Sequence, residues 1–349
     1  MKTFILVFIA ALQISAQNIR PIRDDIGFCW RANEMDSLIS WLDKNPGTHS
    51  DYSTDGLVAA ISPHDDYLYA GKVYSPLYKL IKTKEVVIFG VTHGAVRKEI
   101  NDPQNVIILD NYDQWKGAYG NVSVSPLREE IKKELPQQYQ MVNDKAQTLE
   151  HSIEALIPFI QHYNKDIKIT PIMVTMMPIE RMDSLSLILS GIISNYIREN
   201  NLTIGKDIFF LISNDADHYG EDFKNSPYGL DEKAHQKATD TDRLFAHNHF
   251  DGEITRDKIV GVTTILWPEA SKNKVVPNWC GRYPIVLGLL TIIKTVRAVT
   301  GKSLEGNVLN YSDSWTNGVI PLKGTHMGIT APFSLKHWVG YLSAGFWVK

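Results

Sequence analysis

Three segments of the chain set a histidine among small and acidic residues: Ser62-Pro63-His64-Asp65-Asp66-Tyr67, Gly90-Val91-Thr92-His93-Gly94 and Ser213-Asn214-Asp215-Ala216-Asp217-His218-Tyr219-Gly220. Neutral imidazole is the commonest protein ligand for a transition metal near neutral pH. Two such histidines make a usable metal centre only if one or two further side chains complete the set. Asp65, Asp66, Asp215 and Cys280 are the candidates. Cys280 stands in Asn278-Trp279-Cys280-Gly281-Arg282-Tyr283-Pro284, a turn just before an apolar helical stretch. A thiol near a helix N-terminus has a depressed pKa and is ready to act as thiolate, although a buried, inert thiol fits the same spacing. Leu149-Glu150-His151-Ser152-Ile153-Glu154 opens another helix. Ser152 is expected to cap it, with acidic residues at the positive helix end. The sharper expectation is that Glu150 or His151 points into the same cleft as the other histidines. His247 and His249, with His49, His162, His235, His326 and His337, read as surface or packing residues. There is no glycine-rich phosphate loop, no nucleophile elbow and no Ser-His-Asp order.

The elements that would position these residues are legible as runs. Leu57–Ile61, Glu85–Phe89, Ile167–Val174 and Asp207–Ile212 are short and nearly continuous in apolar character, as strands buried on both faces tend to be. Three of them deliver a histidine segment just past their carboxyl ends, the edge where ligand sites form in open α/β sheets. Helices are expected from Ser75-Pro76 onward, from Ser152 with a kink or restart at Pro158, over 181–198 and over 231–249. Ile285, Leu289, Ile292, Ile293 and Val296 form a helical stripe ended by Gly301. The alternation predicts a single α/β/α sandwich around a mostly parallel sheet, with the last hundred residues adding strands and a helix.

Composition narrows the chemistry. The chain has 349 residues, 44% hydrophobic, 21% charged, with a formal net charge of −3. That excludes wholesale disorder and a dedicated nucleic-acid binder, which would carry a basic surplus. With 2 Cys there is no disulfide scaffold or thiolate-rich cluster, so metal chemistry must rest on His, Asp and Glu. Lys2, the apolar run Phe4–Leu12 and Ser15-Ala16 read as a secretory signal peptide over residues 1–16, leaving one domain over 17–349. The expected location is secreted or periplasmic, with no stable membrane span elsewhere.

Five segments together resemble the MEMO family, known in bacteria as AmmeMemoRadiSam system protein B. They are Ser62–Tyr67, Gly90–His93, Glu150–Glu154, Ser213–Gly220 and Cys280–Ile285, in the family's order. The resemblance implies a fold similar to class III extradiol dioxygenases, which hold non-haem iron by two His and one carboxylate. It implies His64, His93 and Cys280 as metal ligands, with Cys in the carboxylate position. Asp215 and His218 become the neighbouring pair, His218 as acid/base and Asp215 fixing its tautomer, and His151 joins them as a catalytic candidate. The implied metal is iron or copper, with zinc the third option because thiolate is a soft ligand. The implied partner is a small-molecule or peptide ligand in the metal cleft. Asp65-Asp66 replaces a small Ala-Gly pair of the family, which raises the expectation that one of them reaches the cation. Three functions follow: a metal-dependent redox enzyme on a substrate with adjacent oxygen donors, a non-catalytic metal- or ligand-binding protein, or a metallohydrolase with Glu150, Asp215 or His218 as base. In an oxidising compartment Cys29 and Cys280 could instead pair.

Overall fold

A computed structural model describes residues 17–46, 52–267 and 277–349. The expected signal segment and His49 lie outside the described residues. The four apolar runs form adjacent strands, Lys168–Val174, Glu85–Val91, Ile208–Ser213 and Leu57–Ser62, in that spatial order and all parallel. Their side chains alternate between two cores, as the period of two in a strand requires. Val87, Phe89, Phe210 and Ile212 pack on one face with the helices Ile179–Glu199 and Arg282–Thr300. Val86, Ile88, Phe209 and Leu211 pack on the other with Ala32–Lys44, Tyr67–Tyr78 and Ile157–Tyr163. The architecture is therefore the expected α/β sandwich. The sheet is mixed, however: beyond Leu57–Ser62 it continues with the long antiparallel strands His337–Val348 and Leu304–Asp313.

Two helices depart from expectation. The helix expected from Ser75-Pro76 begins at Tyr67, and Pro76 lies in its last turn. Proline supplies no N–H to the carbonyl four residues back, and here the Lys72 carbonyl accepts from Asn310 Nδ2 instead, at 3.2 Å. Ser152 caps nothing; its hydroxyl bonds the Val91 backbone N–H (2.9 Å) and carbonyl (3.2 Å). The chain after it makes one turn of 3₁₀-helix and restarts at Ile157, with Pro158 in the first turn where its missing N–H is tolerated. Arg282–Thr300 ends at Gly301 in the left-handed conformation (φ 72°), as the sequence suggests. This helix is long and apolar enough by composition to cross a membrane, and 67% of its apolar window is buried, as in a core helix.

Candidate metal centre

Sheet order brings the histidines together. The strand Ile208–Ser213 lies between Glu85–Val91 and Leu57–Ser62, so the segments carrying His93 and His64 flank Ser213 at one edge. Ring centroids are 5.2 Å apart for His64 and His93, 5.6 Å for His64 and His151, and 4.7 Å for His93 and His151, the last pair stacked within 7°. Cys280 arrives from the turn before Arg282–Thr300. That turn is fastened to the strand end by the Cys280 N–H on the Asp215 carbonyl (3.3 Å) and the Gly281 N–H on Asn214 Oδ1 (3.0 Å). Gly281 is required there, since a Cβ would lie 2.5 Å from Asn214 and 2.6 Å from the Ser213 carbonyl oxygen. Ligand atoms of His64, His93 and Cys280 lie within 4.8 Å of one another, as do those of Asp215, His218 and Cys280, and those of His93, Glu150 and His151.

Three of the imidazoles are held in the same way, by Nδ1. The Ser213 hydroxyl donates to the Ser152 carbonyl (2.6 Å), so its oxygen is left to accept from His64 Nδ1 (2.8 Å). His93 Nδ1 donates to Glu150 Oε1 (2.8 Å). His218 Nδ1 donates to the carbonyls of Ala216 (3.0 Å) and Asn278 (3.1 Å). With the proton fixed on Nδ1, each ring keeps an Nε2 lone pair for a cation or a substrate proton, which is how metal-binding histidines are oriented by their outer partners. His64 Nε2 sits 3.3 Å from Cys280 Sγ and 3.3 Å from Asp215 Oδ2. Three potential donor atoms, a nitrogen, a sulfur and an oxygen, converge there, a set that could hold a metal ion.

The electrostatics agree with neutral ligands. Burial, then the charges of His93 and His151, pushes His64 well below the usual imidazole range. Burial also takes His151 and His218 down to about 4. His93 is the exception: burial lowers it, but Glu150 outweighs this and raises it. Burial raises Glu150 in turn, yet His93 outweighs it and holds the carboxyl well below the carboxylate range. Glu150 also accepts the backbone N–H groups of His93, His151 and Ser152, each at 2.9 Å.

Several expectations need correction. Of the two readings of Cys280, the buried thiol is the one that holds without a metal: burial, then the neighbouring Asp215, pushes it well above its ordinary value. Asp215 does not orient His218; it accepts the His64 backbone N–H (2.9 Å) and faces His64 Nε2. Neither Asp65 nor Asp66 falls in a ligand-spaced group among the described residues. Asp65 takes the Tyr341 hydroxyl (2.9 Å) and the Asp66 N–H (2.6 Å), and Asp66 takes the backbone N–H (2.6 Å) and hydroxyl of Thr330. The carboxylate beside the imidazoles is Asp215. His218 lies on a strand, Asp215–Gly220, that pairs antiparallel with His337–Val348. Cys29 and Cys280 are both free thiols.

Two cavities open on this cluster. One, of 570 Å³, has His64, His93, His151 and His218 on its wall beside Asp24, Asp25, Asp65, Asp66 and Asp215. Its far side is an aromatic stack, Phe223 on His337 at 4.6 Å and Phe333 on His337 at 5.3 Å. His337, read from the sequence as a packing residue, therefore belongs to the cleft. The pairing of Gly220 with His337 and of Asp215 with Tyr341 carries it there, and no local spacing signals it. The other cavity, of 190 Å³, is lined by His93, His218 and Cys280 together with Arg97 and Arg282.

A family model described as Memo-like protein matches residues 29–319. A MEMO1 family protein of Aquifex aeolicus is 31% identical over 164 residues, covering 46% of this chain and 54% of the relative. One from Methanosarcina barkeri is 27% identical over 165 residues, covering 47% and 55%. The chain spans about half the length of these curated relatives. The match of a single family model across the sheet, the histidine segments and the Cys280 turn places the chain: it belongs to the Memo-like protein family.

Proposed function

We propose that this protein is a non-haem-metal redox enzyme resembling the class III extradiol dioxygenases, with His64, His93 and Cys280 as ligands and Asp215 beside them. The observation that carries this is the shared posture of His64, His93 and His218, each fixed through Nδ1 with Nε2 left for chemistry. A bound iron or copper ion would supply Lewis acidity and a redox couple, and zinc Lewis acidity alone. The protein does the rest. His64 and His93 present neutral nitrogen, and Cys280 presents a soft, oxidisable sulfur. His218 Nε2, with its other nitrogen tied to two carbonyls, takes a proton from a substrate hydroxyl. His151, stacked on His93 and partly open to the cleft, is a second proton acceptor there. The substrate class is a small molecule or peptide end with adjacent oxygen donors. The protein acts outside the cytoplasm, on the strength of the leader-like residues 1–16.

The test combines metal analysis of protein purified with and without air and oxygen uptake against a panel of diols. One metal per chain and diol-dependent oxygen uptake, both lost in His64→Ala, are expected. Metal without turnover would reduce the protein to a binding protein. Hydrolysis without oxygen uptake would make it a metallohydrolase, with Asp215 or His218 as base because Glu150 is engaged by four N–H groups.

A further inference from the structure

The smaller cavity differs from the cleft in charge. Among the described residues its lining includes Arg97, Arg282, His93 and His218 and no carboxylate. Arg282 is anchored through Nη1 to the Trp279 carbonyl (2.9 Å) and Asn278 Oδ1 (3.2 Å), and its buried Nε meets no acceptor. Arg97 touches Met176 and, at 3.6 Å, Asp102, which is half exposed; its buried Nε also meets no acceptor. A buried N–H without a partner is uncommon in native proteins and calls for an explanation. Whatever the two buried Nε groups cost, both guanidinium groups line one small cavity with His93, His218 and Cys280 and no described carboxylate, which points to an anion of small size. Guanidinium forks suit a planar carboxylate, which accepts two parallel N–H bonds.

We propose that this cavity is the subsite for a carboxylate of the metal-chelating substrate, so that the substrate is an acid whose oxygen donors face His93, His218 and Cys280 while its carboxylate faces Arg97 and Arg282. The inference rests on the redox-enzyme reading above, and its failure is separable from the failure of that reading. Zinc-loaded protein, which cannot turn over, is titrated calorimetrically with catechol, with 3,4-dihydroxybenzoate and with benzoate. The acid is expected to bind at least about tenfold more tightly than catechol, the worth of one charge-assisted hydrogen bond. Arg97→Gln and Arg282→Gln should each remove most of that advantage and leave catechol binding in place. Arg282→Lys should keep part of it, and zinc content with a thermal melt confirms that each variant holds its fold. Equal binding of acid and diol, or an acid advantage indifferent to both arginines, overturns the inference. If catechol does not bind but benzoate binds in an arginine-dependent way, the carboxylate subsite stands and the diol chemistry falls.

Discussion

The two cavities beside the histidine cluster are built from opposite materials. The larger one carries five aspartates and an aromatic stack, and the smaller one carries two arginines and no carboxylate among the described residues. In the larger, the acids crowd one another. Asp66 is pushed up to about 7 by burial and by Asp65, and Asp65 and Asp215 are raised as well, burial coming first in each. In the smaller, cationic N–H groups lack acceptors. The partition between them is formed by His93 and His218, which line both cavities. Carboxyl groups are thus gathered on one side of the proposed metal and guanidinium groups on the other. The lesson is that a metal held here would lie between an acidic wall and a basic one, and a polar substrate would be oriented across it.

The largest effect is expected from breaking the partition itself. Glu150 is 1% exposed and holds His93 by side chain and backbone. Glu150→Ala leaves four N–H groups unpaired, and removing one member of a buried pair destabilises by about 3–5 kcal/mol. Urea unfolding should show that loss, and zinc content should fall with it. A neutral result would mean that the two cavities are not separated by a rigid wall.

Next in size is pH. Glu150 is depressed below its ordinary 4.5, so the stability it contributes is present above that pH and is lost as the pH falls through the depressed folded value. His93 is raised above its ordinary 6.5, so its contribution is present below that pH and is lost as the pH rises through the folded value. The pair therefore stabilises the metal-free protein most between these two values. A metal needs His93 neutral and Cys280 ionised, so its affinity rises with pH. The melting temperatures of zinc-loaded and metal-free protein should diverge as the pH rises from about 6 to about 8. Convergence over that interval would remove His93 and Cys280 from the ligand set.

A smaller effect is expected at Ser213, whose hydroxyl relays from His64 Nδ1 to the Ser152 carbonyl. Loss of such an outer partner typically costs about 10–100-fold in metal affinity. Ser213→Ala should fall in that range by competition with a chelator, with little change in the fold.

Much of the centre was legible because parallel strands put their carboxyl ends on one edge: His64, His93 and Asp215 follow strand ends in sequence and in space. Residues brought from far along the chain only by antiparallel pairing were not legible. His337 and Tyr341 are over a hundred positions from Asp215, and only the register of His337–Val348 brings them in. Ser152 looked like a helix cap because its neighbours permit one. Its hydroxyl goes to Val91 instead, a choice set by the loop crossing the strand end. Charge pattern alone also misplaced the carboxylate: Asp65-Asp66 is adjacent to His64 in sequence, but alternating backbone directions turn those side chains to Tyr341 and Thr330.

The smallest expected effect follows from that last point. Asp65 accepts two hydrogen bonds and stands among like charges, with burial as the main influence on it. Asp65→Asn keeps Oδ1 as acceptor for the Asp66 N–H, leaves the Tyr341 hydroxyl to accept from the new Nδ2, and relieves the crowding of Asp66 and Asp215. Metal stoichiometry should stay unchanged, and affinity should shift by less than about threefold, since Asp65 belongs to no ligand-spaced group among the described residues and acts on the cation only from a distance. Asp215→Asn is the contrast. Its carboxylate lies against His64 Nε2 and belongs to the ligand-spaced group with His218 and Cys280, so metal affinity should drop by about tenfold or more. Chelator competition on the two variants ranks them directly. If Asp65→Asn is the more damaging, the cation sits deeper in the acidic cleft than the imidazole posture implies, and the asymmetry between the two cavities has been assigned to the wrong side.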